Sequence, residues 1–269
     1  MKLLNGSELA GFIKERQAHE VRGLRQAHGL KPKLAIVVTV EHPAIEVYMR
    51  MKQRYGADIL VDVDVHRVKQ SEAKQLIEGL NVDPSVHGII VQLPLEDPSQ
   101  TEQIVGLVAP EKDVDALGAK ATLDPATPLA ILWLLAGYNV DLRGKQIVLV
   151  GRGKLVGAPL ERMLVASDYD VKVVDSKTKN GTEIISEADV IITATGQPGL
   201  ITAETIKQGA VVVDAGVAGE QGKTVGDLAP DVYERDDLTI TPQKGGVGPL
   251  TICALFDNVI RAARNTVRN

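Results

Sequence analysis

The chain has 269 residues, of which 44% are hydrophobic, 24% charged and 3% aromatic, with a net charge of -5 and one cysteine. This is enough chain for one large or two medium domains with real cores. Well-mixed charge without a basic stripe gives no support for nucleic-acid binding, and a lone Cys253 excludes a disulfide framework or a thiol-rich metal site.

The N-terminal stretch MKLLNGSELAGF is too short and too polar for a signal peptide, and no apolar run reaches membrane-spanning length. A cytoplasmic α/β protein is therefore expected. Ser7 to His28 reads as a helix capped by Ser7. Leu34 to Val40 is a strand, Val47 to Gly56 a helix, and Ile59 to Val65 a second strand. Ser71 to Leu80 is a helix and Gly88 to Leu93 a third strand. Strand-helix alternation is the signature of a parallel sheet. A mixed stretch follows, and then the apolar helix ATPLAILWLLAGYNVDL opens a second series. Its strands are KQIVLV, DVKVVD, DVIITAT, GAVVVDAGV and LTITP, with helices at VGAPLERMLVAS and NGTEIISEAD. A closing helix begins near Pro249, a residue suited to a first turn. Two α/β domains flanking a cleft are expected, the second Rossmann-like with a mostly parallel sheet. The first spans 1–118 and the second 119–248, with the closing helix 249–269 packing back on the first.

In KQIVLVGRGKLVGAPL a strand runs into a glycine loop that opens a helix. Gly151, Gly153 and Gly157 read GxGxxxG, a weak spacing that its strand-loop-helix context strengthens. Such a loop lets backbone N–H groups approach a pyrophosphate where the helix dipole favours anions. The plainer reading is a tight turn without a ligand. Asp175, after the next strand, stands where an acid would hold the ribose hydroxyls of NAD. Arg152, Ser176, Lys177 and Lys179 suit a 2′-phosphate instead. NAD and NADP both stay open, with the basic set leaning to NADP.

On a helical wheel, Ala44, Val47, Tyr48, Met51 and Tyr55 share a broad apolar face, with Glu46, Arg50, Gln53 and Arg54 opposite. Lys52 falls on the apolar side, between Tyr48 and Ile45. It either snorkels to water or sits partly desolvated, with a lowered pKa fit for acid-base work. Gln92 interrupts GIIVQLPL at a strand's C-terminal end, the edge at which parallel sheets bind ligands. Asp113 and Asp115 alternate in PEKDVDAL as loop caps, solvated charges or site residues. Gly245, Gly246 and Gly248 precede the closing helix, either as a hinge or for close approach to a flat ligand.

Taken together, YMRMK, VQLPL, PEKDVDA, VGRGKLVGAPL, TGQPG, VVVDAGV, VGDL and TPQKGGVGPLT resemble, in order and over nearly the whole chain, the methylenetetrahydrofolate dehydrogenase/cyclohydrolases, or FolD-type enzymes. The resemblance implies hydride transfer from 5,10-methylenetetrahydrofolate to NADP, followed by hydrolysis of the methenyl cation to 10-formyltetrahydrofolate. It implies Lys52 as the principal catalytic group, Gln92 as its holder, Tyr48 under the aminobenzoyl ring and Asp115 on the pterin. Val91, Leu93, Gly246, Val247, Gly248 and Pro249 would line the folate pocket. Gly151, Gly153 and Val217 would line the cofactor, with Arg152 and Ser176 at the NADP phosphate. No metal is implied, and members pair as homodimers through the nucleotide domain. The chain departs from the family pattern at Ala116, usually glycine, at Gly153, usually serine, and at Gln243 and Lys244. These departures bear on cofactor choice and pocket shape more than on the reaction. A monofunctional dehydrogenase and a non-catalytic folate- or nucleotide-binding paralogue are the alternative readings.

Overall fold

A computed structural model of the protein describes residues 1–220 and 223–267. In chain order the elements are β1 (Lys2–Leu3), α1 (Gly6–His28), β2 (Lys33–Val38), α2 (Pro43–Asp58), β3 (Asp62–Arg67), α3 (Gln70–Val82), β4 (Gly88–Val91) and α4 (Thr101–Val105). There follow α5 (Ala126–Gly137), β5 (Ile147–Val150), α6 (Gly157–Ala166), β6 (Val171–Val174), α7 (Gly181–Glu187), β7 (Val190–Thr193) and β8 (Val211–Asp214). The last are β9 (Ala218–Glu220), β10 (Lys223–Val225), β11 (Thr239–Ile240) and α8 (Val247–Asn265). Among the described residues no helix is long and apolar enough to cross a membrane.

Two compact units result, Met1–Ala10 with Thr127–Thr251 and Gly11–Ala126 with Ile252–Asn269. The expected division put the first ten residues with the first half. Instead β1 pairs parallel with β11, Lys2 opposite Thr239 and Leu3 opposite Ile240, so these residues fold with the second series. The boundary falls at Ala126/Thr127, inside the first turn of α5, rather than at 118/119.

The first unit holds a six-stranded sheet in the order β1-β11-β8-β7-β5-β6, every pair parallel. Its central strands read VIIT and IVLV and are buried throughout, as a sheet covered on both faces requires. The chain moves from β5 to β6 on one side and then to β7 on the other, so the strand order reverses between β5 and β7. The stretch 209–217, expected as one strand, ends as β8 at Asp214 and gives way to the antiparallel pair β9-β10.

The second unit holds a three-stranded parallel sheet, β3-β2-β4, with the same reversal between β2 and β4. Val37, Ile89 and Val91 join Ala73 and Ile77 of α3 in its core. The strand expected from Ile59 starts at Asp62 because α2 runs on to Asp58. Its end is a Schellman turn: Val61 N–H donates to Gly56 C=O at 2.8 Å and Leu60 N–H to Ala57 C=O at 3.3 Å, with Leu60 at φ 66°. The cap of α1 also differs. Glu8 N–H donates to the Asn5 side-chain oxygen at 3.2 Å, so Asn5 caps the helix and Ser7 lies inside it.

Candidate functional site

Helix α2 follows the central strand β2, and Gln92 immediately follows β4, so both reach the sheet edge at the β2/β4 reversal. Parallel sheets bind ligands at such an edge. The packed stripe of α2 is Ile45, Met49 and Gly56, continued past the helix end by Ile59, with Lys52 in line between Met49 and Gly56. The broad face expected from the wheel is only partly inward. Val47, Tyr48 and Met51 are 46%, 43% and 45% exposed, because side chains at these angles clear the sheet. The Ala44 side chain lies outside the described residues. Tyr55 is half-buried, its hydroxyl donating to Gln17 Oε1 at 2.7 Å and its ring 5.0 Å from that of Phe256. Glu46, expected in open solvent, accepts from the Arg67 guanidinium at 3.0 and 2.9 Å.

Lys52 does not snorkel. Its Nζ donates to Gln92 Oε1 at 2.8 Å, while Gln92 Nε2 donates to Leu93 C=O at 2.8 Å and fixes which way the amide faces. Burial holds the Lys52 pKa below the ordinary lysine value, and the Asp115 carboxylate opposes that shift. Asp115 is displaced in the other direction, raised by burial and pulled back by Lys52. Each group is thus driven towards its neutral form by its surroundings and towards its charged form by the other.

The neighbouring Asp113 is structural. It is buried, and its carboxylate accepts from Gly118 N–H at 2.7 Å and Leu117 N–H at 3.4 Å, closing the loop that bears Asp115. Ala116 in that loop has φ 54°, a left-handed conformation that favours glycine. Asn258, which sequence reasoning passed over, clamps the same loop. Its amide donates to Val114 C=O at 2.9 Å and Asp124 C=O at 2.8 Å. The one signal for it was an asparagine inside an otherwise apolar helix face. Val91 lies in the core, and Leu93 is half-buried beside Gln92.

The remaining expected residues belong to the six-stranded unit. Gly151 follows β5 at φ 97°, and a Cβ there would lie 2.9 Å from Ala194 C=O. A Cβ on Gly157 would lie 2.2 Å from Gly151 C=O, so the start of α6 is seated directly on the strand end. A Cβ on Gly153 would meet nothing within 4 Å, so no packing inside the protein requires this glycine. The loops after β7 and β8 reach the same sheet edge. Buried Asp227 orders the first, accepting from Thr193 Oγ1, from Thr195 N–H at 2.7 Å and from Gln197 N–H at 2.9 Å. Val217 is 64% exposed in the second. Arg152 Nε and Nη2 donate to Glu161 at 2.7 and 3.3 Å. Asp175 accepts from Lys177 N–H at 2.9 Å and Thr178 Oγ1 at 3.1 Å, and Ser176 is exposed beside it.

The glycine turn before α8 has a third explanation. Gly245 has φ 83°, and a Cβ on Gly6 would lie 1.8 Å from Gly246 C=O, so these glycines let the turn pass against the start of α1. Gly246 and Val247 are buried and Pro249 half-buried, whereas Gly248 is exposed with nothing within 4 Å of a Cβ there.

Two family models match the chain. Residues 4–115 match the catalytic domain of tetrahydrofolate dehydrogenase/cyclohydrolase, and residues 125–267 match its NAD(P)-binding domain. The bifunctional protein FolD of Moorella thermoacetica is 38% identical over 98% of this chain and 99% of its own. The crystal structure of the bifunctional FolD of Campylobacter jejuni superposes with a TM-score of 0.92 at 34% identity, covering 99% of both chains. That of Trypanosoma brucei FolD, complexed with NADP cofactor and inhibitor, gives a TM-score of 0.92 at 30% identity over 99% of this chain and 98% of that one.

Proposed function

The chain belongs to the tetrahydrofolate dehydrogenase/cyclohydrolase family, and we propose that Lys52, Gln92, Tyr48 and Asp115 carry its folate chemistry while Gly151, Arg152, Gly153, Ser176 and Val217 hold its dinucleotide. The enzyme oxidises 5,10-methylenetetrahydrofolate to 5,10-methenyltetrahydrofolate with NADP and hydrolyses the product to 10-formyltetrahydrofolate. A dinucleotide fits the first unit. Gly151 and Gly157 bring the strand end and the helix start to van der Waals contact, and around Gly153 a Cβ would meet nothing within 4 Å. NADP supplies the hydride acceptor there.

The observation that carries the lysine assignment is the amine held 2.8 Å from the Gln92 amide oxygen in a desolvating setting. The methenyl product of the first reaction is a cation, and an ammonium beside it would oppose its formation. A neutral amine removes that repulsion and offers a lone pair to the proton of an attacking water. Gln92 accepts one N–H of the amine, which limits where the lone pair points. The half-exposed Tyr48 ring offers a flat surface to the aminobenzoyl group, and the Asp115 carboxyl offers hydrogen bonds to the pterin. We further place the enzyme in the cytoplasm as a homodimer paired through the nucleotide-binding half, and sedimentation of the purified protein tests the dimer.

The test of the central claim follows methenyl absorbance after hydride transfer. The parent protein forms and then consumes the methenyl species. Lys52→Ala and Lys52→Met fold normally but slow its hydrolysis by a factor on the order of 100 or more. Full hydrolysis by Lys52→Ala would remove the assigned role. Accumulation of methenyl product by the parent would instead make the protein a dehydrogenase alone.

A further inference from the structure

Arg152 is the cation expected to read the 2′-phosphate, and its guanidinium is already engaged. Nε and Nη2 both donate to the Glu161 carboxylate, at 2.7 and 3.3 Å. Glu161 stands on the second turn of α6, its side chain 23% exposed and fixed beside the buried Leu160, whereas the Arg152 side chain is 60% exposed. Glu161 is thus the more enclosed half of the pair and Arg152 the more solvent-exposed half. A guanidinium has a second edge, Nη1 with the outer Nη2 hydrogen, which this pairing leaves geometrically open. A phosphate can dock on that edge with Glu161 still bound, but it then meets an arginine whose charge is largely cancelled. Asp175 adds a second negative field at Arg152, although its Oδ1 is occupied by its own turn at Lys177 and Thr178.

We propose that Glu161 is the specificity-determining residue of the dinucleotide site. By neutralising Arg152 it lowers the enzyme's discrimination for a 2′-phosphorylated nicotinamide dinucleotide over the unphosphorylated one. This rests on the reading that Arg152 faces the 2′-phosphate. Glu161 touches neither cofactor in this account and acts through Arg152, so it is a positioning residue and its effect is confined to the phosphorylated cofactor.

The experiment is steady-state kinetics of methylenetetrahydrofolate oxidation with NADP and with NAD, for the parent, Glu161→Gln, Arg152→Ala and the double variant. Glutamine keeps an acceptor for Arg152 Nε and removes the charge. Glu161→Gln lowers KM for NADP about fivefold, changes kcat little, and makes that KM more sensitive to salt, because Arg152 then meets the 2′-phosphate with its charge no longer cancelled by Glu161. KM for NAD moves less than about twofold, as NAD lacks the 2′-phosphate that Arg152 would read. In the Arg152→Ala background the Glu161 substitution has no effect on the NADP/NAD ratio. A ratio of kcat/KM values that is unchanged or lower in Glu161→Gln, while Arg152→Ala lowers it, overturns the role of Glu161 alone. A ratio unaffected by Arg152→Ala overturns the placement of the phosphate, and the inference with it. Thermal melts of each variant exclude misfolding as the source of either result.

Discussion

Replacing Gln92 with glutamate tests whether Gln92 tunes Lys52 or merely touches it. The substitution keeps side-chain length and backbone seat, since Gln92 N–H donates to Val37 C=O at 2.9 Å whatever the side chain. A carboxylate oxygen then stands where the amide oxygen lies, 2.8 Å from Lys52 Nζ. At that separation a unit charge pair is worth about 6 kcal/mol with an effective dielectric constant of about 20. Desolvating the new carboxylate offsets roughly half of this, leaving about 3 kcal/mol, or about two pKa units on Lys52. The sign is upwards, because a neighbouring anion stabilises the ammonium. If the neutral amine is the base, the ascending limb of the hydrolysis rate against pH moves up by about two units, and the rate below both limbs falls about a hundredfold. Gln92→Met removes the acceptor without adding charge, so its limb moves the other way. The assay is decay of methenyl absorbance over a pH series, corrected for the spontaneous reaction. Coincident limbs in the parent and Gln92→Glu, with only the amplitude reduced, would refute the electrostatic coupling of Gln92 to Lys52.

Three further outcomes are expected. Ala116→Gly relieves a left-handed φ of 54° and should raise unfolding free energy by up to about 1 kcal/mol in a urea titration, the relief being partly offset by the freer unfolded chain. Asp227→Asn replaces one acceptor oxygen of the buried carboxylate with an NH2 donor that faces the donors Thr193 Oγ1, Thr195 N–H or Gln197 N–H. It should cost about 2–4 kcal/mol by the same titration and raise KM for NADP by loosening the loop after β7. His87 is buried with Nδ1 accepting from Lys33 N–H at 3.2 Å, and its pKa is lowered from 6.5, first by burial and then by Lys112, against the pull of Asp83. The unfolded state therefore takes the proton first, so this group's contribution is intact above pH 6.5 and is lost as pH falls below it, down to the folded pKa. Stability curves of the parent and His87→Gln between neutral and mildly acid pH should show a shallower decline in the variant.

The alternation of strand and helix was legible because the buried strands are short runs of Val, Ile and Leu set off by polar turns, and burial on both faces leaves no other composition. The position of Lys52 was legible for a related reason. A charged residue in line with Ile45 and Met49 violates the helical period, and the period fixes direction even when the partner is unknown. The wheel could not say which part of a wide apolar arc would be buried. Val47, Tyr48 and Met51 are as apolar as Ile45 and Met49, and only the placement of β2 and β4 decides between them. Strand β1 was invisible because two residues carry no period, and their pairing with Thr239 and Ile240 is made across almost the whole chain. Asp227 and Glu161 lie on the motifs VGDL and VGAPLE, but Asp227 works through a loop far along the chain and Glu161 through Arg152 across the turn that opens α6. Spacing along the chain does not encode such contacts.

The coupling of Lys52 to Asp115 gives the site a property that neither residue has alone. Burial favours the neutral amine and the neutral carboxyl, while their mutual attraction favours ammonium and carboxylate. Both arrangements carry zero net charge, so moving a proton between them avoids the full penalty of placing an isolated charge in a desolvated site. A substrate that becomes cationic during the reaction breaks this balance. It favours whichever distribution leaves the carboxylate negative and the amine neutral, and that requires one proton to leave the pair. Hydride transfer itself releases no proton, so the amine lone pair freed in this way is what accepts the proton that water loses on attacking the methenyl cation. On this account removal of Asp115 by Asp115→Asn should not silence Lys52 but lower its pKa further, since the opposing carboxylate is gone. The hydrolysis limb should move down in pH, while KM for the folate rises from the lost pterin contact. A limb that moves up, or a KM that stays fixed, would separate Asp115 from one or other of these two roles.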